Sequence, residues 1–105
     1  MKRIVVAVVL GLWPAQAGAG EDPTRIALSL GELLGSEEAC GLAFDQPAIE
    51  AFIDKNAPAD DMTFTTTMNI FARPMPDEIA KMSVSQRTAH CAQMRRVAKA
   101  YGFTK

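Results

Sequence analysis

The sequence predicts an all-α protein: a small bundle of four or five short helices, closed by one disulfide and preceded by a cleaved signal peptide. Three observations support this prediction. Helix-capping residues recur along the chain, apolar residues repeat at helical spacing, and two cysteines lie well beyond an apolar leader.

The leader has the three parts of an export signal in the expected order. Lys2 and Arg3 form a basic start, an apolar run covers residues 4–13, and small residues follow. Ala15-Gln16-Ala17 fits the site read by a signal peptidase, so we predict a signal peptide over residues 1–17, with Ala19 as the alternative end. The apolar run is shorter than the ~20 residues that cross a bilayer.

Export predicts a periplasmic protein, with secretion from the cell as the alternative. After the leader we expect a flexible start over residues 18–23 and a single helical domain over residues 24–105, without a transmembrane segment. Cys40 and Cys91 are its two cysteines. In an oxidising compartment they allow one pairing, so we predict a disulfide between them.

The first helix is predicted from its N-terminal signals. Asp22 can cap it with Pro23 at the first helical position, and Gly35 is expected to end or bend it. Ser36 is then predicted to cap a second short helix over residues 37–42. Asp45 is predicted to cap the next helix, with Pro47 in its first turn, and this helix is expected to end before Pro58.

The stretch over residues 62–72 allows two interpretations. Phe64, Met68 and Phe71 fit one face of a helix, whereas alternating apolar residues and threonines fit a strand. We predict a helix, because a lone strand would have no partner for its backbone groups. A connection over residues 73–76 and one helical turn over residues 77–81 are expected to follow.

The last helix has the clearest sequence signals. Ser83 and Gln86 form a capping box, and Gly102 is placed to end the helix. Between them runs a mostly apolar seam that we predict to face inward: Val84, Arg87, Cys91, Met94, Ala98 and Tyr101.

Charge is unevenly distributed along the chain. The sequence has 11 Lys and Arg against 12 Asp and Glu; removing Lys2 and Arg3 leaves nine basic residues and a net charge of −3. No acidic residue follows Glu78, whereas the last helix is basic. This helix can simply lie on an acidic body, or it can present a face to an anionic ligand or acidic partner: Arg87, Arg95, Arg96 and Lys99.

Methionine is frequent, with six residues in the chain. Core packing explains methionines in a small domain, and grouped methionines also line adaptable binding grooves. A candidate apolar groove would comprise Phe64, Met68, Phe71 and Met94. A copper site is a remote alternative, because the methionines are too widely spaced for a typical thioether cluster.

No catalytic, cofactor or nucleotide motif is evident in the sequence. His90 is the single histidine, and no serine lies in a nucleophile motif. We therefore predict neither an enzyme nor a bound cofactor or metal. Nucleic acid is not expected as a partner, because the chain is acidic overall and has few aromatic residues.

Three stretches carry a pattern seen elsewhere: Cys40-Gly41-Leu42-x-Phe44-Asp45, Ala48-Ile49-x-Ala51-Phe52-Ile53, and His90-Cys91-Ala92-Gln93-x-Arg95-Arg96-Val97-Ala98 with Tyr101-Gly102-Phe103. In them the chain resembles a group of small exported two-cysteine helical proteins of alphaproteobacteria, a likeness that implies no activity. In size, helicity and one long-range disulfide it is also similar to the HdeA-type periplasmic chaperones, by architecture only.

Together these observations predict a non-catalytic periplasmic binding or protein-interaction module. Its partner would be an envelope protein or a small apolar or anionic ligand. The alternative is an acid-stress chaperone of the HdeA-like type, in which protonation of the carboxylates loosens the domain and exposes apolar surface.

Overall fold

The computed structural model describes residues 22–105 and forms five α-helices without a strand in that range. They are α1 (Pro23–Gly35), α2 (Gln46–Asn56), α3 (Phe64–Ala72), α4 (Met75–Ala80) and α5 (Val84–Ala100). The predicted signal peptide and most of the predicted flexible start lie outside the described residues. The all-α prediction is confirmed, and so is the disulfide between Cys40 and Cys91, whose Cα atoms are 5.3 Å apart.

Three helices begin where the sequence predicts. The Asp22 carboxylate accepts a hydrogen bond from the Thr24 amide at 3.2 Å, and the Asp45 carboxylate accepts one from the Ala48 amide at 3.2 Å. Before α5, the Ser83 hydroxyl accepts from the Gln86 amide while the Gln86 side chain accepts from the Ser83 amide. These bonds satisfy amides that have no partner inside their own helices.

The choice of a helix over a strand for the contested stretch is confirmed, although α3 begins at Phe64. The predicted helix over residues 37–42 is wrong: residues 36–41 form turns. The Cys40 amide donates to the Ser36 carbonyl at 3.0 Å, but the run ends at once with Gly41, whose φ of +68° is left-handed. One helical hydrogen bond is too few to propagate a helix.

The stretch over residues 73–76 is not only a connection, because α4 starts at Met75 with Pro76 in its first turn. Proline is tolerated there, since first-turn amides need no helical acceptor. Met75 and Ile79 of α4 are both buried. Packing of these two side chains therefore turns a predicted loop and single turn into a short helix.

The core forms where α1 packs chiefly against α3 and is covered by the end of α5 and the residues that follow it. Its buried members are Ala27, Leu30, Leu33, Phe44, Phe64, Ala98 and Phe103. Two glycines of α1 make the close approach to its neighbours possible. A Cβ at Gly31 would overlap the Met68 carbonyl oxygen, and one at Gly35 would overlap the Ala72 carbonyl oxygen.

The chain after α5 returns to the core through a glycine turn. The Phe103 amide donates to the Ala98 carbonyl and the Gly102 amide to the Lys99 carbonyl, which is the Schellman pattern of hydrogen bonds. Gly102 has a φ of +85°, a conformation that favours glycine. The turn places Phe103, 1% exposed, among the rings of Phe44, Phe52 and Tyr101.

The predicted inward seam of α5 is only partly correct. Cys91 and Ala98 are buried, but Val84 is 77% exposed and Arg87 is also exposed. All six residues from Val84 to Ala89 are exposed, so the first turns of α5 extend past the core. Capping, rather than burial, supports this end of the helix.

Candidate functional site

A cluster of cations lies on the solvent side of α5. Arg95, Arg96 and Lys99 are exposed and, at 100° per residue, fall within an arc of about 100° around the helix. We call these three residues the basic surface. The structure places these three residues of the predicted face on one side of the helix.

Arg87 does not belong to this cluster, although the sequence groups it with the other three. Eight residues of helix separate it from Arg95, a distance of about 12 Å along the axis. Its side chain borders a different depression, which is lined by Ala39, Pro76, Ile79 and Ala80. The predicted four-residue face is therefore divided into two places.

The cations of the basic surface have no acidic partner within the described residues. In that range the one ion pair within 4.0 Å joins Lys81 and Asp77, away from the basic surface. Arg96 makes a long hydrogen bond, 3.5 Å, to the side chain of Gln93. The charges of the three side chains thus face water rather than the acidic residues of the same domain.

The structure places the four residues of the predicted apolar groove in the core or half-buried beside it. Phe64 is 3% exposed and belongs to the core, so it has almost no surface for a ligand. Met68 and Met94 are half-buried and pack against the same core. Phe71 is half-buried beside Gly31, where its Cβ would lie 3.1 Å from an added methyl group. Their shared role is packing between α1, α3 and α5.

An open depression that sequence reasoning missed lies between α2 and the end of α5. It measures about 400 Å³, and we call it the α2–α5 groove. Its lining residues are Ala48, Ala51, Phe52, Lys55, Asn56, Ala100 and Tyr101. Only the pairing of α2 with the end of α5 creates this groove, so no pattern within either helix could reveal it.

A buried polar contact lies beside the disulfide. Ser36 is fully buried, its hydroxyl donates to the Glu32 carbonyl at 2.7 Å, and the hydroxyl oxygen lies 2.9 Å from Nε2 of His90. Because the hydroxyl has one proton, Nε2 of His90 donates to it in this arrangement. The serine proton is then directed at the Glu32 carbonyl and not at the histidine. The contact resembles a nucleophile–base pair in composition, but its serine is fully buried.

We predict that Ser36→Ala lowers the free energy of unfolding by about 1–3 kcal/mol, because it leaves the part-buried Glu32 carbonyl and Nε2 of His90 without this partner. Urea denaturation followed by circular dichroism measures this change. Ser85→Ala, an exposed serine of α5, is the control and should change stability by less than about 0.5 kcal/mol. Equal stability of the Ser36 variant and the parent would contradict the structural role.

Acidic side chains of the domain support its loops. The Glu37 carboxylate accepts a hydrogen bond from the Phe44 amide at 2.8 Å. Hydrogen bonds from the hydroxyl and then the amide of Thr63 hold the pKa of Asp61 below its ordinary value of 3.8. Asp61 therefore stays charged at neutral and mildly acidic pH and fixes the turn before α3.

Residues 22–105 contain no cluster of three or more His, Cys, Asp and Glu side chains arranged for a metal ion. Met62 is 83% exposed whereas Met75 is 5% exposed, so the methionines are divided between surface and core. Of the five helices, none combines the length and apolar character that a membrane span requires.

No protein-family model, curated protein or solved structure matches this chain. The likeness to small exported proteins of alphaproteobacteria therefore stays a prediction.

Proposed function

We propose that this chain is a non-catalytic binding module of the periplasm, exported through a cleaved leader, and that it holds an anionic partner against the basic surface. The observation that carries the proposal is the exposure of Arg95, Arg96 and Lys99 without a carboxylate within 4.0 Å among residues 22–105. An envelope protein with an acidic surface is the partner that fits this chemistry.

Electrostatics favours this surface for binding. A domain with a net negative charge gains little solubility from three clustered cations, but the cluster attracts an acidic partner to one side of the molecule. No internal ion pair must break before the partner binds, so the attraction is not offset by a lost salt bridge. Because the side chains are exposed, added salt should weaken the interaction.

The burial of Ser36 also supports a role without catalysis, since it removes the one serine in contact with His90 from any substrate. The acid-stress chaperone and the copper carrier stay predictions, because no contact in the described residues favours either. Binding of the dye ANS at acid pH and copper titration are the measurements that would bring them forward.

Charge reversal tests the proposed function. In an NMR titration with hexaglutamate at low ionic strength, the triple variant Arg95→Glu/Arg96→Glu/Lys99→Glu should bind at least about tenfold more weakly than the parent, because attraction becomes repulsion. The affinity of the parent should also fall as salt is added. Amide shifts in α5 would locate the contact.

The control is Arg25→Glu/Arg73→Glu/Lys81→Glu, which changes three exposed cations elsewhere and gives the same net charge. It should retain most of the affinity. Equal weakening in both variants would show that net charge alone attracts the peptide, and the proposal of a specific surface would then be lost. The proposal would also be lost if the parent protein did not bind hexaglutamate.

A further inference from the structure

The α2–α5 groove lies beside the basic surface and has an apolar floor. The rings of Phe52 and Tyr101 stack with centroids 4.5 Å apart and planes inclined by 24°, and both side chains are half-exposed. Alanines at positions 48, 51 and 100 surround them. Small side chains next to large rings produce a concave apolar surface that water covers poorly.

The polar groups at the edge of this groove favour a negative ligand. Lys55 is exposed and has no carboxylate within 4.0 Å among the described residues. By helical spacing, Glu50 and Asp54 lie on the other side of α2. On α5, Arg96 stands one helical turn before Ala100, which lines the groove. Cations therefore lie on both helices that border the apolar floor.

The Tyr101 hydroxyl adds an unused donor, since it has no hydrogen-bond partner within residues 22–105. Asn56 uses its amide nitrogen on the Phe52 carbonyl at 2.8 Å, which leaves its oxygen free to accept. A docked backbone presents both donors and acceptors, so these two side chains suit a peptide.

The shape of the groove also indicates the class of ligand. Ala51, Lys55 and Ala100 are exposed, so the depression covers one side of a ligand and cannot enclose it. Small-molecule sites bury most of their ligand, whereas an open groove between helices is typical of docking by a protein segment.

We infer that the α2–α5 groove takes an apolar side chain of an acidic protein segment, whose carboxylates contact Lys55 and Arg96. The inference rests on the proposed function, because Arg96 belongs to the basic surface. It adds that the partner must carry an aromatic or large aliphatic residue between its acidic residues. Charge attracts the segment to the domain, and insertion of the apolar side chain into the groove fixes the position of the bound segment.

Two peptides separate the two proposals. Hexaglutamate tests the basic surface, and the same peptide with one central phenylalanine tests the groove. The phenylalanine peptide should bind the protein about tenfold more tightly, because its ring is removed from water against Phe52 and Tyr101. In an NMR titration, the phenylalanine peptide should shift the methyl signals of Ala48, Ala51 and Ala100. Hexaglutamate should not shift these signals.

A variant with a side chain that fills the groove is compared with a variant that carries the same substitution elsewhere. Ala100→Gln adds a larger neutral side chain inside the groove, whereas Ala89→Gln makes the same change on an exposed position of the same helix, away from the groove. The first variant should remove the advantage of the phenylalanine peptide and leave hexaglutamate binding unchanged. The second should alter neither. Lys55→Gln should weaken the binding of the phenylalanine peptide several-fold.

The outcomes are distinguishable. If hexaglutamate binds but phenylalanine adds nothing, the groove is not a binding site and the proposed function stands. If neither peptide binds, both proposals fail. If vesicles of phosphatidylglycerol bind and Ala100→Gln weakens that binding, the groove takes lipid and the assignment to a protein segment is overturned.

Discussion

Replacing Cys40 and Cys91 together with alanine is expected to lower the free energy of unfolding by about 4 kcal/mol. The two residues are 51 positions apart, so the bridge closes a long loop and removes many conformations from the unfolded chain. A domain of this size has a total stability on the order of 4–13 kcal/mol. Loss of the bridge should therefore remove about a third or more of this total stability. If the total lies at the lower end of the range, a measurable fraction of the molecules should be unfolded.

Urea denaturation of the double variant measures the change. The dependence of the free energy on urea should become steeper, because an unbridged chain exposes more surface when it unfolds. A reducing agent should destabilise the parent by a similar amount and leave the variant unaffected. A midpoint equal to that of the parent would show that the helices hold together without the covalent link.

Gly31→Ala should lower the free energy of unfolding by about 1–3 kcal/mol. Helix propensity alone predicts the opposite sign, since alanine favours a helix by about 1 kcal/mol over glycine. The added Cβ overlaps the Met68 carbonyl oxygen and lies 3.1 Å from the Phe71 Cβ. α1 and α3 must then separate, which loosens the core around Leu30 and Phe64.

The atom that the added Cβ overlaps belongs to the main chain of Met68, so shortening a side chain cannot remove it. This provides a control. Met68→Ala and Phe71→Ala remove atoms beyond Cβ only, so neither should restore the stability that Gly31→Ala removes, and each double variant should be no more stable than Gly31→Ala alone. Thermal or urea denaturation of the double variants measures this. A gain in stability from Gly31→Ala would mean that the two helices can separate freely and that the close contact has no energetic value.

Local signals in the sequence predicted local structure well. Asp22, Asp45 and Ser83 each cap the helix that follows them, because a capping bond joins residues within one turn. The bridge between Cys40 and Cys91 also followed from the sequence, since two cysteines in an oxidising compartment have one pairing. Neither inference needed knowledge of the tertiary packing.

Errors arose where a distant partner decides the outcome. Gly35 is the last residue of α1, as predicted, but the sequence does not reveal the contact of Gly31 and Gly35 with α3 and the start of α4. Val84 was expected inside because its spacing fits the α5 seam, yet nothing in the described part of the chain packs over that end. Helical spacing gives the direction of a side chain but not whether another helix covers it.

The candidate site shows the same division. Three of the four predicted cations form the basic surface, because they occupy neighbouring turns of one helix. The contact between Ser36 and His90 joins residues 54 positions apart, and the α2–α5 groove joins α2 to the end of α5. Such arrangements depend on the tertiary fold, so a single sequence cannot reveal them.

The position of Phe103 has a consequence for biosynthesis. This ring contacts Phe44, Phe52 and Tyr101 at the centre of the aromatic cluster, and its carbonyl accepts a hydrogen bond from the Asp45 amide at 2.9 Å. A nascent chain that has not yet reached residue 103 lacks this ring. The ribosome must therefore deliver nearly the whole described chain before the core can close, so the domain cannot complete its fold while residues near position 103 are still being added.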